Sequence, residues 1–178
     1  MERKYAWHEY TEADTQAMEA LCKEYRDFLD NGKTERECIE QTIAKAEAVG
    51  YKNLKEFQNA GQPIKPGYKV YAVHMNKIIA LFNIGTDSLE QGFNILGAHI
   101  DSPRLDVKQN PFYEDKNLAF FDTHYYGGIK KYQWVAMPLA LHGVVVKKDG
   151  TKVTLSIGEK DTDPVFCVTD LLPHLGQE

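Results

Sequence analysis

Residues 93–100 read Phe-Asn-Ile-Leu-Gly-Ala-His-Ile, set between Gly92 and Asp101-Ser102-Pro103. This is a nearly continuous apolar run with a turn signal at each end. A strand with one wet face alternates apolar and polar residues, whereas a run like this predicts a strand buried on both faces, as in a sheet covered by helices. The end of such a strand matters chemically. Ligands of helix-covered sheets gather beyond the carboxyl ends of strands, and this run ends on His99-Ile100-Asp101.

The preceding sequence supplies the helices. Thr11 with Asp14, and Thr34 with Glu37, are capping-box patterns. After the first, Met18, Leu21, Cys22, Tyr25, Phe28 and Leu29 recur at helical spacing up to Asn31-Gly32, which predicts a left-handed stop. After the second, Ile39, Ile43 and Ala46 lead to a stop at Gly50, and a short third helix is predicted over 53–58. Gly61-Gln62-Pro63 and Pro66-Gly67 mark a loop; segments 69–74 and 77–84 then flank Met75-Asn76 as a hairpin. Past Pro103, strands are predicted over 118–125, 139–147 and 151–157, the last two joined by Asp149-Gly150. The chain therefore divides near Pro103 into a helix-plus-sheet half and an all-β half.

Composition narrows the function classes. With 178 residues, 43% hydrophobic and 26% charged, the chain is globular and long enough for one average domain or two small ones. Twenty-one basic residues against 26 acidic give a net charge of −5, which argues against a nucleic-acid partner. Residues 1–60 carry 9 of the basic and 13 of the acidic side chains, the pattern of solvated helix faces. Cys22, Cys38 and Cys167 lack CxxC spacing and read as free thiols in a reducing compartment. The N-terminus has no apolar signal core, and the apolar stretch from Trp134 to Val146 is too short to span a bilayer. These features predict a soluble cytoplasmic protein with neither a nucleic-acid nor a membrane partner.

His99 and Asp101 stand at i and i+2, so in an extended chain they point to the same face. The imidazole there can offer one nitrogen to a metal while the carboxylate holds the other N–H and fixes the tautomer. Taken alone, His-x-Asp is a weak signal, and a hydrogen-bonded structural histidine is the plainer reading. The same plain reading applies to His124 and His142 in strand patterns, to His8 and His74 at the surface, and to His174 in a loop. Ser102 lacks a Gly-x-Ser-x-Gly elbow, and Cys167 has no histidine at a known spacing. Tyr125-Tyr126-Gly127-Gly128 with Lys130 and Lys131 has no wider basic patch around it, and its glycines predict a turn or a close backbone approach.

The segment Gly-Ala-His-Ile-Asp-Ser-Pro-Arg-Leu-Asp-Val-Lys (97–108) closely resembles the metal-binding segment of the aspartyl aminopeptidase family of dinuclear-metal aminopeptidases. Trp7-His8-Glu9-Tyr10, Lys33-Thr34-Glu35-Arg36-Glu37, the strand pair over 70–84, Tyr125-Tyr126-Gly127-Gly128 and Leu172-Pro173-His174-Leu175 resemble the same family in the same order. The resemblance implies an α/β fold. Residues 1–102 start a helix-covered mixed-sheet metallopeptidase domain, and 103–178 are the first part of an inserted β-rich dimerisation domain. It implies release of N-terminal, typically acidic, residues from a peptide substrate by a water activated between two divalent ions. Zinc ranks first among these, with cobalt or manganese as alternatives.

By the same resemblance His99 ligates one metal and Asp101 orients that histidine. His174 reaches a neighbouring subunit's active site and helps bind substrate, within a homo-oligomer built from dimers. The family's remaining ligands and its general-base glutamate have no counterpart in these 178 residues, and a catalytic zinc needs about three protein ligands. The chain as it stands is therefore expected to be the front portion of such an enzyme, with little or no peptidase activity. Two other classes stay open: a non-catalytic oligomerisation module derived from such an enzyme, and a small-ligand binder using His99.

Overall fold

A computed structural model describes residues 4–170. The chain forms two compact units, Met1–Ile100 and Asp101–Glu178. In the first, helix α1 (Glu12–Asp30) opens on the predicted capping box: the Asp14 N–H donates to Thr11 Oγ1 at 3.2 Å and the Thr11 N–H to Asp14 Oδ2 at 2.9 Å. Helix α2 (Glu35–Ala48) repeats the device with Thr34 and Glu37. Each such cap contributes about 1 kcal/mol. Gly50 ends α2 with φ +91°, donating to Glu47 O, while Tyr51 donates to Ala46 O. This is the paired Schellman bonding that a left-handed glycine permits.

The stop of α1 is made differently from the sequence expectation. Asn31 has φ −96°, and Gly32 is not left-handed either. The Asn31 side chain instead donates to Asp27 O at 2.7 Å, reinforcing the bond that its own N–H makes to the same carbonyl at 3.2 Å. Gly32 is required by space. A Cβ there would lie 2.9 Å from Cys38 Sγ, 2.9 Å from Phe28 O and 3.0 Å from Gln41 Nε2. Gly32→Ala is expected to cost about 1–3 kcal/mol, the usual penalty of overpacking. The check is the urea midpoint, and an unchanged midpoint would show that the α1–α2 corner opens freely.

Strand β1 (Lys52–Asn53) leads directly into helix α3 (Leu54–Asn59), and strands β2 (Lys69–His74) and β3 (Ile78–Asn83) follow. β1 pairs parallel with β2, and β2 antiparallel with β3, giving a mixed sheet in the order β1-β2-β3. Met75 and Asn76, at φ 51° and 53°, turn the predicted hairpin. The core of this unit is Cys38, Ile39 and Ala46 of α2, Phe57 of α3, and Val70 and Tyr71 of β2. The Tyr71 hydroxyl donates to Glu47 Oε1 at 2.6 Å, fastening β2 to α2.

The strand expected over 93–100 is not formed. Residues 92–103 carry no strand or bridge assignment, and Phe93, Ile95 and Leu96 are 70%, 77% and 101% exposed. A strand buried on both faces needs neighbours for its backbone hydrogen bonds and layers for its side chains. The three described strands of this unit supply neither to 93–100.

In the second unit, β4 (Arg104–Asp115) and β5 (Leu118–Tyr126) form an antiparallel hairpin closed by Lys116-Asn117, both left-handed. Its register shifts between Val107 and Phe112, so that Lys108–Pro111 face Asp122 alone; Lys108 Nζ pairs with the Asp122 carboxylate at 3.0 Å. β6 (Leu141–Val146) and β7 (Lys152–Ile157) form a second hairpin at Asp149-Gly150, as predicted, with the Thr151 N–H donating to Asp149 Oδ1. Among the described residues of this unit no large apolar side chain is fully buried. No described helix is long and apolar enough to cross a membrane.

Candidate functional site

His99 and Asp101 fall at the boundary of the two units: His99 is next to last in the first, and Asp101 opens the second. His99 is exposed, in chain without regular structure. The neighbouring Ile100 carbonyl accepts from Cys38 Sγ at 4.0 Å, a thiol that also reaches Gly32 O at 3.5 Å. Burial, and then the charges of Glu37 and Glu35, push the Cys38 thiol above its ordinary range. It therefore stays protonated, a hydrogen-bond donor and not a nucleophile or a thiolate ligand.

Asp101 is held firmly. The Tyr126 hydroxyl donates to its Oδ2 at 2.7 Å. Tyr126 stands opposite Arg104 in the β4–β5 register, and the Arg104 guanidinium lies 4.3 Å from the Tyr126 ring centroid. Arg104 Nε donates to Asp106 Oδ1 at 2.7 Å, and its Nη1 reaches Ser102 O at 3.5 Å. Gly127 follows with φ +73°, and a Cβ there would lie 3.4 Å from Pro103 Cα. Of the two expectations for Gly127, the chain takes the change of direction: it bends there in a left-handed conformation, in ordinary van der Waals contact with Pro103. Together these contacts clasp 101–104 against the end of β5.

Two of the other histidines have hydrogen-bond partners within the second unit. His142 Nε2 lies 2.8 Å from Glu159 Oε1, and His124 Nδ1 lies 3.1 Å from Tyr125 O. His8 and His74 are exposed, and His174 lies outside the described residues. Cys22, Cys38 and Cys167 form no disulfide. Among the described residues no three His, Cys, Asp or Glu side chains are grouped to hold a metal. His99 is the kind of donor zinc takes, but one imidazole is short of the three protein ligands of a catalytic site. The described donor set therefore does not by itself fit a zinc ion.

Residues 28–178 match the family described as Aminopeptidase I zinc metalloprotease (M18). The chain belongs to the M18 family. A relative from Clostridium acetobutylicum, described as probable M18 family aminopeptidase 1, is 54% identical over 177 residues, which is 99% of this chain and 38% of the relative. A Thermotoga maritima protein of the same description is 47% identical over the whole of this chain and 38% of its own length. The crystal structure of aminopeptidase I from Borrelia burgdorferi B31 superposes with a TM-score of 0.87 at 38% identity, covering 96% of this chain and 41% of that one. This M18 chain thus spans less than half the length of the relatives it matches. The α/β fold expected from the sequence is the fold of those relatives.

Sequence reasoning did not single out Tyr126, whose hydroxyl holds the Asp101 carboxylate. Its signal lay in the Tyr-Tyr-Gly-Gly segment, but its role depends on Arg104 standing opposite, and β4 was not predicted.

Proposed function

We propose that this M18 chain contributes part of a zinc-dependent aminopeptidase that releases N-terminal, acidic residues from peptides. In this reading two zinc ions serve the reaction, with cobalt or manganese as possible substitutes. His99 ligates one of them, Asp101 orients His99, and His174 completes the substrate pocket of a neighbouring subunit. Residues 1–102 belong to the catalytic domain and 103–178 to an inserted dimerisation domain, in a cytoplasmic homo-oligomer built from dimers. The observation that carries the reading is 54% identity across 99% of the chain to a relative described as an aminopeptidase.

Because one imidazole is too few for a catalytic zinc, the 178-residue chain alone is expected to hold less than one zinc per chain and to turn over no aminoacyl substrate. Metal analysis with fluorogenic Asp-, Glu- and Leu-substrates checks this, and two zinc ions with turnover would contradict it. Fused to the segment that completes the Clostridium acetobutylicum relative, the chain is expected to bind zinc and cleave Asp- or Glu-substrates. A chimera that folds yet takes up no zinc sinks the enzyme reading.

One observation favours the association module as a second reading. The β4–β5 hairpin exposes Phe112, Tyr113 and Leu118, and its unit buries no large apolar side chain among the described residues. Uncovered apolar surface of this kind marks association surfaces. Sedimentation of the chain alone, giving an oligomer free of metal, would support that reading over the first.

A further inference from the structure

We infer that Tyr126 is a positioning residue for the His99–Asp101 pair: its hydroxyl fixes the Asp101 carboxylate, and Arg104 in turn fixes the Tyr126 ring. This rests on the proposed role of Asp101 as the group that orients His99, and it adds the residue that sets Asp101 itself.

Within the second unit, the Asp101 carboxylate is held with little slack. An aspartate in an irregular segment rotates freely about χ1 and χ2 unless something holds it. Here a phenol donates to Oδ2 at 2.7 Å, the usual distance of a well-formed O–H···O hydrogen bond. The phenol comes from the last residue of β5, a strand paired along its length with β4. Its ring is covered on one side by Arg104, 4.3 Å from the centroid. Arg104 is pinned by its 2.7 Å bond to Asp106, two residues along the same strand and therefore on the same face. The backbone closes the clasp: Gly127, left-handed at φ +73°, a conformation glycine adopts without strain, lies next to Pro103. The carboxylate is thus referenced to a hairpin and not to the loop that carries it. An imidazole aligned by such a carboxylate keeps one tautomer and presents one defined nitrogen.

The test reads that alignment directly, without metal. In the 178-residue chain labelled with 15N-histidine and measured at alkaline pH, where protonation does not average the signals, the His99 ring nitrogens of the wild type are expected near the limiting shifts of a single tautomer. Tyr126→Phe keeps the ring and its Arg104 contact but removes the donor. It is expected to move both nitrogens toward the averaged shifts of free imidazole, with the thermal melting curve unchanged. Asp101→Asn, which keeps the shape of the acceptor, is expected to cause the same movement in full. If Asp101→Asn moves the shifts and Tyr126→Phe does not, the inference is overturned while the role of Asp101 stands. If neither variant moves them, the His99–Asp101 reading fails and takes the inference with it. A movement in Tyr126→Phe accompanied by a lowered melting curve counts against positioning and assigns Tyr126 to structure alone.

Discussion

Ile39→Ala is expected to destabilise the first unit by about 2–5 kcal/mol. Ile39 is wholly buried in the middle of α2. Its side chain lies in a core whose other members are Cys38, Ala46, Phe57, Val70 and Tyr71. Truncation removes three carbons from a site with no solvent exposure, so the loss has two parts: the transfer free energy of those carbons and the cavity they leave. Val70, the other wholly buried side chain of this core, is held in a paired strand, which limits how far the core can close over the gap. Against a domain stability of about 5–15 kcal/mol, this is a large share. Urea unfolding followed by far-UV circular dichroism reads it, because α1, α2 and α3 all lie in this unit. A cost below about 1 kcal/mol would mean that the packing around Ile39 is looser than its burial indicates.

The largest functional effect is expected from His99→Ala in the zinc-loaded chimera described above. Loss of a carboxylate that aligns a metal-bound histidine costs about 10–100-fold in metal affinity or activity, and Asp101→Asn is expected in that range. Removing the imidazole itself removes a bond to the metal, so His99→Ala is expected to exceed 100-fold and to release zinc to a chelator that leaves the parent loaded. The order of the two variants is the informative result. Asp101→Asn more damaging than His99→Ala would reverse the proposed roles. Parent-like zinc retention in His99→Ala would remove His99 from the metal site altogether.

The local signals in the sequence were strong where a few adjacent residues settle the structure. Both capping boxes, the Gly50 stop and the Met75-Asn76 and Asp149-Gly150 turns depend on contacts within a few positions, and each took the predicted form. The expectation over 93–100 depended on neighbours far along the chain, and its apolar residues stand exposed instead. β4 was hidden because Pro111 and a mixed charged pattern interrupt it. Proline is confined to edges and bulges of sheets, and Pro111 does sit in the register shift before Phe112. With β4 unseen, Arg104 and Tyr126 could not be placed opposite one another. His-x-Asp was legible as a motif, but the clasp around Asp101 was not.

The irregularity in that hairpin fixes the phase of the strand. Five residue steps on β4, from Val107 to Phe112, stand against two on β5, from Thr123 to Phe121. Because side chains alternate faces with a period of two, an odd surplus turns the outer half of β4 over. Leu105, Val107 and Phe112 thereby share one side with Tyr125, Thr123 and Phe121, while Arg104, Asp106 and Tyr113 share the other with Tyr126, His124 and Phe120. A change in chain length between Val107 and Phe112 consequently has parity. Two residues gained or lost preserve both sides of the hairpin, and a single one exchanges them beyond the break, leaving the clasp end in place.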